Sequence, residues 1–478
     1  MILGLDVGTG SVKAVALSDE GKVVWQSHRD LPNVVADGEK VEFDAEIWYA
    51  RSIDLLREFA SKFKPRDLTL CIGGQAPSIV PVDRNGRPLH HALVWMDGRA
   101  VAEAEKLRNL TGEDVDPFTA ESKLLWFMNN LPSVYKKTFC FLHAFDFVAF
   151  RLTGSATVGL LDEQYYTWES IPYWKPEHLS MTEFELEKLP EPRLIGDEIG
   201  PVKESVAKML NIPSTTVIQG TADFAHSIVG VGAVKPSVAM DHGGTSQGFD
   251  LCWHEELRPS KREFNCVRHI VRGFWNISGV MNTTGAVLRW FRNNFYPPES
   301  SYTLVDAEAA KCENVQLIVL PYFQGERTPV WNPYARGVFF GLQLRHGRGD
   351  VARAIMEATA YGLRRIVEFI KKAGGRLDEL RVAGGQGNSD LWNQIKADVL
   401  GVKVIKPSIS DAAPLGAALV GAVSKQIYKD YSESAEKAVV IEKTFNPNPT
   451  KTETYDKKYE TYIELYEAVK HLFIKLDH

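Results

Sequence analysis

Asp6, Thr9, Ser11 and Lys13 fall within eight residues of one another, across a turn whose other members include Gly8 and Gly10. Glycine backbone without side chains lets N–H groups approach an anion, and the Thr9 and Ser11 hydroxyls and the Lys13 ammonium add donors. Gly8, Thr9, Gly10, Ser11 and Lys13 are therefore candidate phosphate ligands. Asp6 would repel a phosphate unless a divalent cation lay between them, which makes it the candidate Mg²⁺ ligand. One such turn is most simply a β-hairpin. Half a chain later, however, Asp241-His-Gly-Gly-Thr-Ser246 follows another apolar strand with Asp, Gly and Ser in register and Gly and Thr exchanged. Duplication accounts for the pair better than chance. Gly244 and Thr245 join the phosphate set, because two such hairpins can grip one triphosphate from opposite domains.

Other residues could supply the rest of a transfer reaction. Asp223 follows an apolar strand (Thr216 to Gln219) and the Gly220-Thr221 turn, and precedes an apolar helix (Phe224 to Val229). Its plainest role is to cap that helix. Its chemical role would be a catalytic base, held ionised by the helix N-terminus, that accepts a hydroxyl proton late in phosphoryl transfer. The turn Gly384-Gly385-Gln386-Gly387-Asn388, between a strand and a helix, would admit a flat ring against bare backbone; Gly384, Gly385 and Asn388 are the nucleotide candidates. In the first half, the loops holding Gln75 and Ala76 and holding Trp95, Asp97 and Arg99 both follow apolar strands. Gln, Asp and Arg can hydrogen-bond adjacent hydroxyls and Trp can cover a sugar face, so these residues with Asp223 form the candidate substrate set. Surface loops are an equally good reading of both segments.

These residues need strands that end where the turns begin. Periodicity predicts strands over 2–5, 12–17, 22–26 and 68–72, with a helix from Glu46 to about Lys62. A strand over 237–240 precedes the second hairpin. A long helix follows Asp350, which can cap it, and ends at Gly374-Gly375. A strand over 380–383 and a helix over 390–400 flank the Gly-rich turn, and another strand covers 402–406. Ala412 to Val423 is rich in Ala and Gly, which suits a tightly packed interior helix. Tyr455, Tyr459, Tyr462, Tyr466, Val469 and Phe473 form one stripe of a C-terminal helix that is core or docking surface. Strands first, then alternating helix and strand, define an α/β protein.

At 478 residues the chain exceeds one core, and the repeat divides it into 1–236 and 237–478, the C-terminal helix being free to pack back on the first domain. A net charge of −6 without long runs of like charge favours neither nucleic acid nor a membrane surface as partner. Asp6 interrupts any apolar N-terminal stretch, and the longest near-apolar run is too short to span a bilayer. Five scattered cysteines argue against a disulfide framework or zinc site and for reduced thiols in a cytoplasmic protein.

The residues also resemble a family, the FGGY carbohydrate kinases, which include xylulose, ribulose, gluconate and glycerol kinases. The most specific likeness is Gly337-Val-Phe339-Phe-Gly341-Leu342 followed by Asp350-Val351 and Ala354-Ile355-Met356-Glu357. Pro321 to Pro329, Phe118-Thr-Ala with Lys123-Leu-Leu-Trp126, and Ala383-Gly-Gly with Trp392 and Ala397-Asp398 are similar as well. The resemblance implies two actin-like (ribonuclease H-like) domains with an active-site cleft between them, sugar mainly on the first and ATP mainly on the second. It implies Mg²⁺ at Asp6, a phosphate contact at Thr9, the base at Asp223, phosphate at Gly244 and Thr245, and nucleotide at Gly384, Gly385 and Asn388. Expected partners are a small sugar and ATP, with a homodimer left open. Two positions depart from xylulose kinases: Ala76-Pro77 stands for Met-His, and Phe224 for the Asn that follows the base. Ala120 also stands where the family's N-terminal signature has Pro, Ser or Thr. The expected activity is phosphorylation of a pentulose, polyol or sugar acid other than D-xylulose. An actin-like ATPase acting on proteins, or a catalytically weak sugar-binding relative, are the alternatives.

Overall fold

The computed structural model describes residues 1–162, 174–313, 315–409 and 411–476. They form two compact units. The first comprises Met1–Gly232, Arg268–Gly273 and Asp411–Ala438, and the second Ala233–Val267, Phe274–Ser410 and Val439–His478.

In the first unit the strand Ile2–Val7 is buried along its whole length, as a continuous apolar run in the middle of a sheet requires. It pairs antiparallel with Ser11–Leu17, which pairs antiparallel with Val23–Asp30. On its other side lies Leu68–Gly74, parallel, then Thr215–Ile218, parallel, then Glu198–Pro201, antiparallel. The second unit repeats this pairing. Val238–Gly243, Gln247–Trp253 and Trp275–Met281 are successive antiparallel strands. Glu379–Ala383 and Lys403–Pro407 continue the sheet in parallel, and Ile441–Phe445 closes it antiparallel. The duplication read from six residues thus extends to the order and direction of six strands, with Asn265–Arg268 as a seventh at the edge of the second sheet.

The two hairpins differ in one detail. In the first the last paired residues are Val7 and Val12, and in the second Gly243 and Gln247. Asp6 is therefore one residue before the turn's last pair and Asp241 two. The turns close differently too, Gly8 N donating to Ser11 O and Gly244 N to Ser246 O.

Local signals explain the helices. Asp44 caps Ala45–Phe63 by accepting from Glu46 N, and Ser389 caps Asp390–Leu400 by accepting from Trp392 N. Asp350 does not cap its helix: Arg348–Lys372 begins two residues earlier, and the Asp350 carboxylate reaches back to Gly347 N at 2.9 Å. The tyrosine stripe of Pro449–Val469 is core, with Tyr455, Tyr459, Tyr462 and Tyr466 buried among second-unit residues and the Tyr462 hydroxyl 2.6 Å from that of Tyr322. This helix belongs to the second unit. A different segment belongs to the first unit, Asp411–Ala438, which a division at 236/237 leaves in the second half.

Glycine is the reason this segment packs there. The helix Ala412–Ser424 lies against Ile2–Val7 and against the helix Asp223–Val231. A Cβ on Gly416 would stand 1.8 Å from His226 O, one on Gly230 1.9 Å from Ala412 O, and one on Gly4 2.2 Å from Pro414 O. Backbone touches backbone at all three places, so the Ala- and Gly-rich run is the tightly packed helix its composition predicts. Gly416→Ala is expected to destabilise the protein by about 1–3 kcal/mol through overpacking, measured by urea unfolding. In an open helix the same change would stabilise by roughly 0.5–1 kcal/mol, so the sign alone tests the contact.

Candidate active site

Asp6 is the penultimate residue of the central strand Ile2–Val7 of the first unit. Its carboxylate is buried, and Oδ1 has no hydrogen-bond partner. Asp223 is the first residue of the helix Asp223–Val231; Ala222 occupies the cap position, and Asp223 Oδ1 accepts from Phe224 N at 2.7 Å. Both carboxyls sit above the ordinary carboxylate range. Burial is the first cause in each, pushing Asp6 up to about 8 and Asp223 to about 6. The Asp223 charge raises Asp6 further, Asp411 adds to it, and Lys13 opposes both. The helix start does favour the charged Asp223, through Phe224 N, but desolvation outweighs it. Lys13 is not directed at open solvent: its ammonium pairs with Asp411 at 2.5 Å. Asp411 had no signal in the sequence, since only packing of the helix Ala412–Ser424 brings it to the hairpin.

The turn itself is tied to the substrate loops. Gly8 N closes the turn on Ser11 O at 3.1 Å, so this amide is engaged, whereas a Cβ on Gly10 would meet open space. Gln75 is buried; its Nε2 donates to Gly8 O at 3.0 Å and its Oε1 accepts from Thr9 and Ser78. Trp95 Nε1 donates to Thr9 Oγ1 at 3.0 Å while much of the ring stays exposed, and Ala76 is half-buried beside it in sequence to Gln75. Asp97 differs from the expected hydroxyl ligand. It is fully buried and accepts from Val41 N and from Arg99, whose fork also holds Glu42 at 2.8 Å and lies over the Trp126 ring. Asp97 and Arg99 brace the loop from within.

Lys123, quoted above only as part of a family likeness, performs a similar task. It is fully buried, and its Nζ donates to Val94 O, Pro77 O and Trp95 O at 2.8, 3.0 and 3.3 Å, the carbonyls of both substrate loops. Burial pushes it down to about 7, against the charges of Asp97, Asp116 and Glu121.

The second unit holds a cavity of about 420 Å³ lined by Gly244, Arg289, Tyr302, Gly385, Asn388 and Trp392, among others. Gly384 has φ +76°, and its Cβ would stand 2.6 Å from Gly243 O, so the Gly-rich turn can lie directly on the hairpin. Residues Gly385–Asn388 form one turn of 3₁₀ helix, and a Cβ on Gly385 would point into open space. Thr245 and Asn388 are exposed. Arg289, on the helix Gly285–Phe295, reaches Thr245 Oγ1 at 3.3 Å and places a cation at the hairpin that no motif announced. Among the described residues no group of three or more His, Cys, Asp or Glu could hold a metal ion by itself. Nor is any helix among them long and apolar enough to cross a membrane. Among the described residues no disulfide joins two cysteines.

These two units match the N- and C-terminal domains of the FGGY family of carbohydrate kinases over residues 1–230 and 243–425, and the chain belongs to that family. It is a carbohydrate kinase, of a family that uses ATP as co-substrate. The chain is 27% identical to a xylulose kinase of Klebsiella pneumoniae over 99% of this chain and 100% of the relative. It is 28% identical to a glycerol kinase of Koribacter versatilis over 93% and 94% of the two chains. The crystal structure of a gluconate kinase from Lactobacillus acidophilus superimposes with a TM-score of 0.88 over 99% of both chains at 24% identity. A protein-directed actin-like ATPase is thereby set aside.

The raised Asp6 carboxyl makes a stability prediction. Between about pH 4 and about pH 8 the folded state keeps a proton on Asp6 that the unfolded chain has lost. Its contribution is present at acid pH and lost as pH rises, with a slope of up to about 1.4 kcal/mol per pH unit. Without nucleotide and divalent cation, Asp6→Asn is expected to flatten this fall and to be more stable than the wild type at pH 8. Parallel stability–pH curves from chemical denaturation of the two proteins would disprove the assignment.

Proposed function

We propose that the protein transfers the γ-phosphoryl group of MgATP to a hydroxyl of a small carbohydrate, a pentulose, polyol or sugar acid, with Asp223 as general base. The observation that carries this reading is the Asp223 carboxylate at a helix start in electrostatic contact with buried Asp6, its pKa pushed up to about 6. At that value it is mostly ionised at neutral pH yet basic enough to take a proton. The substrate hydroxyl oxygen bonds to the γ-phosphorus, the bond to the bridging β–γ oxygen breaks, and the hydroxyl proton passes to Asp223 late in a loose transition state.

Asp6 fits a divalent cation, because a buried carboxylate with an orphaned oxygen beside a second carboxylate is relieved by positive charge. Among the described residues there are too few further ligands for a closed cage, in keeping with Mg²⁺ that would take phosphate oxygens and waters as its other ligands. Bound there, Mg²⁺ would neutralise charge on the β- and γ-phosphates. Thr9, Gly10 and Ser11 would contact phosphate, with Lys13 released from or shared with Asp411, and Gly8 shaping the turn. Gly244 and Thr245 would hold phosphate in the second unit, assisted by Arg289. Gly384, Gly385 and Asn388 would take the adenosine. On the substrate side Trp95, part-exposed, and Ala76 would meet the carbohydrate, while Gln75, Asp97 and Arg99 hold the loops in place.

Asp223→Asn is expected to lower turnover by about 10²-fold or more while leaving the affinity for a non-hydrolysable ATP analogue within threefold. Near-normal turnover would remove Asp223 from the mechanism.

Substrate choice follows from Pro77 and Phe224, which carry no side-chain hydrogen-bonding group where xylulose kinases have His and Asn. Each unpaired substrate hydroxyl costs roughly 1–3 kcal/mol, about one to two orders of magnitude in kcat/KM. D-Xylulose is thus expected to rank below another member of a panel containing D-ribulose, L-ribulose, glycerol, erythritol and gluconate. A tenfold or greater lead for D-xylulose would refute this.

A further inference from the structure

Asp241 lies one register position farther from its turn than Asp6 does from its own, and its surroundings are opposite. Its buried carboxylate is satisfied at both oxygens: Oδ2 accepts from Lys396 Nζ and Oδ1 from Gln247 Nε2, each at 2.6 Å. Lys396 is fully buried as well, and Gln386 Oε1 lies 3.4 Å from its ammonium. From there Gln386 Nε2 donates to Thr284 Oγ1 at 2.8 Å and to Gly244 O at 3.2 Å. Thr284 N and Ala286 N both donate to Thr245 O, which fastens the helix Gly285–Phe295 to the same hairpin. One continuous chain of polar contacts therefore joins Asp241, Lys396 and Gln386 to the hairpin and to the Gly-rich turn that line the 420 Å³ cavity.

A carboxylate behind a phosphate-binding turn would oppose a triphosphate unless its charge were cancelled. Buried ion pairs add little net stability relative to apolar residues of similar size, so stability alone does not account for this one. We propose that Lys396 is a positioning residue for the nucleotide. It is an internal cation that cancels the charge of Asp241 and, through Gln386, holds Gly244 and the Gly-rich turn in the register that receives ATP. This inference rests on the second unit being the nucleotide site.

The test compares Lys396→Met with Asp241→Asn/Lys396→Met, using Gly385→Val as a steric probe of the cavity itself. Affinity for a non-hydrolysable ATP analogue is read by calorimetry, KM for ATP and for carbohydrate by kinetics, and folding by thermal unfolding. Lys396→Met is expected to weaken nucleotide binding tenfold or more with carbohydrate KM within twofold. Removing the stranded carboxylate in the double variant is expected to restore affinity to within threefold of the wild type. A folded Lys396→Met protein with wild-type nucleotide affinity would overturn the proposal, as would a double variant as weak as the single one. If Lys396→Met does not fold, Gln386→Leu cuts the same link without stranding a charge, and unchanged nucleotide affinity there overturns it equally. Gly385→Val separates the two readings: its Cβ enters open space, so loss of nucleotide affinity upholds the site. Retention would reject the site and with it the proposal.

Discussion

Burying a carboxylate is unfavourable through desolvation, and a neighbouring charge of like sign adds repulsion; the buried Asp6 and Asp241 of the two hairpins meet that cost differently. At Asp6 the chain leaves the charge uncompensated: one oxygen has no partner, and the proton is retained to unusually high pH. At Asp241 the chain supplies its own cation, Lys396, in direct contact. The two hairpins thus carry two electrostatic arrangements, one carboxylate with an unpartnered oxygen and one closed in an ion pair.

Around these charges, position is set by backbone-to-backbone contact. Gly4, Gly230 and Gly416 let the helix Ala412–Ser424 approach the central strand and the Asp223 helix far more closely than any side chain would permit. That approach is what brings Asp411 to Lys13. In the second unit Gly384 similarly lets the Gly-rich turn lie on the hairpin. Interiors packed at this density transmit small displacements, so these glycines help to place the carboxylates beside them.

The loops around Gln75 and Trp95 are stiffened by polar groups turned inward. Lys123 binds three of their carbonyls, Gln75 couples one loop to the first hairpin's turn, and Asp97 with Arg99 and Glu42 braces the other. Such groups satisfy backbone that would otherwise be buried unpaired. Side-chain types suited to hydroxyl recognition are equally suited to this task, which is why Asp97 and Arg99 read as ligands in the sequence and act as braces in the fold.

Local information determined a good deal. Apolar runs ending at Gly-rich turns, the half-chain repeat, the helices over 45–63 and 390–400, and the strand–turn–helix around Asp223 depend on residues close in the chain, and all were legible there. The motif spacing likewise carried the family. Tertiary structure alone decided which unit each segment joins, so that 411–438 packs with the first and the tyrosine helix with the second. It alone paired Lys13 with Asp411 and Asp241 with Lys396, and turned Asp97 inward. Those outcomes depend on which groups lose water together, and burial of a charge is a property of neighbours distant in sequence: Asp6 keeps an orphaned oxygen, whereas Asp241, one register position deeper in its own hairpin, closes an ion pair with Lys396, 155 residues away along the chain.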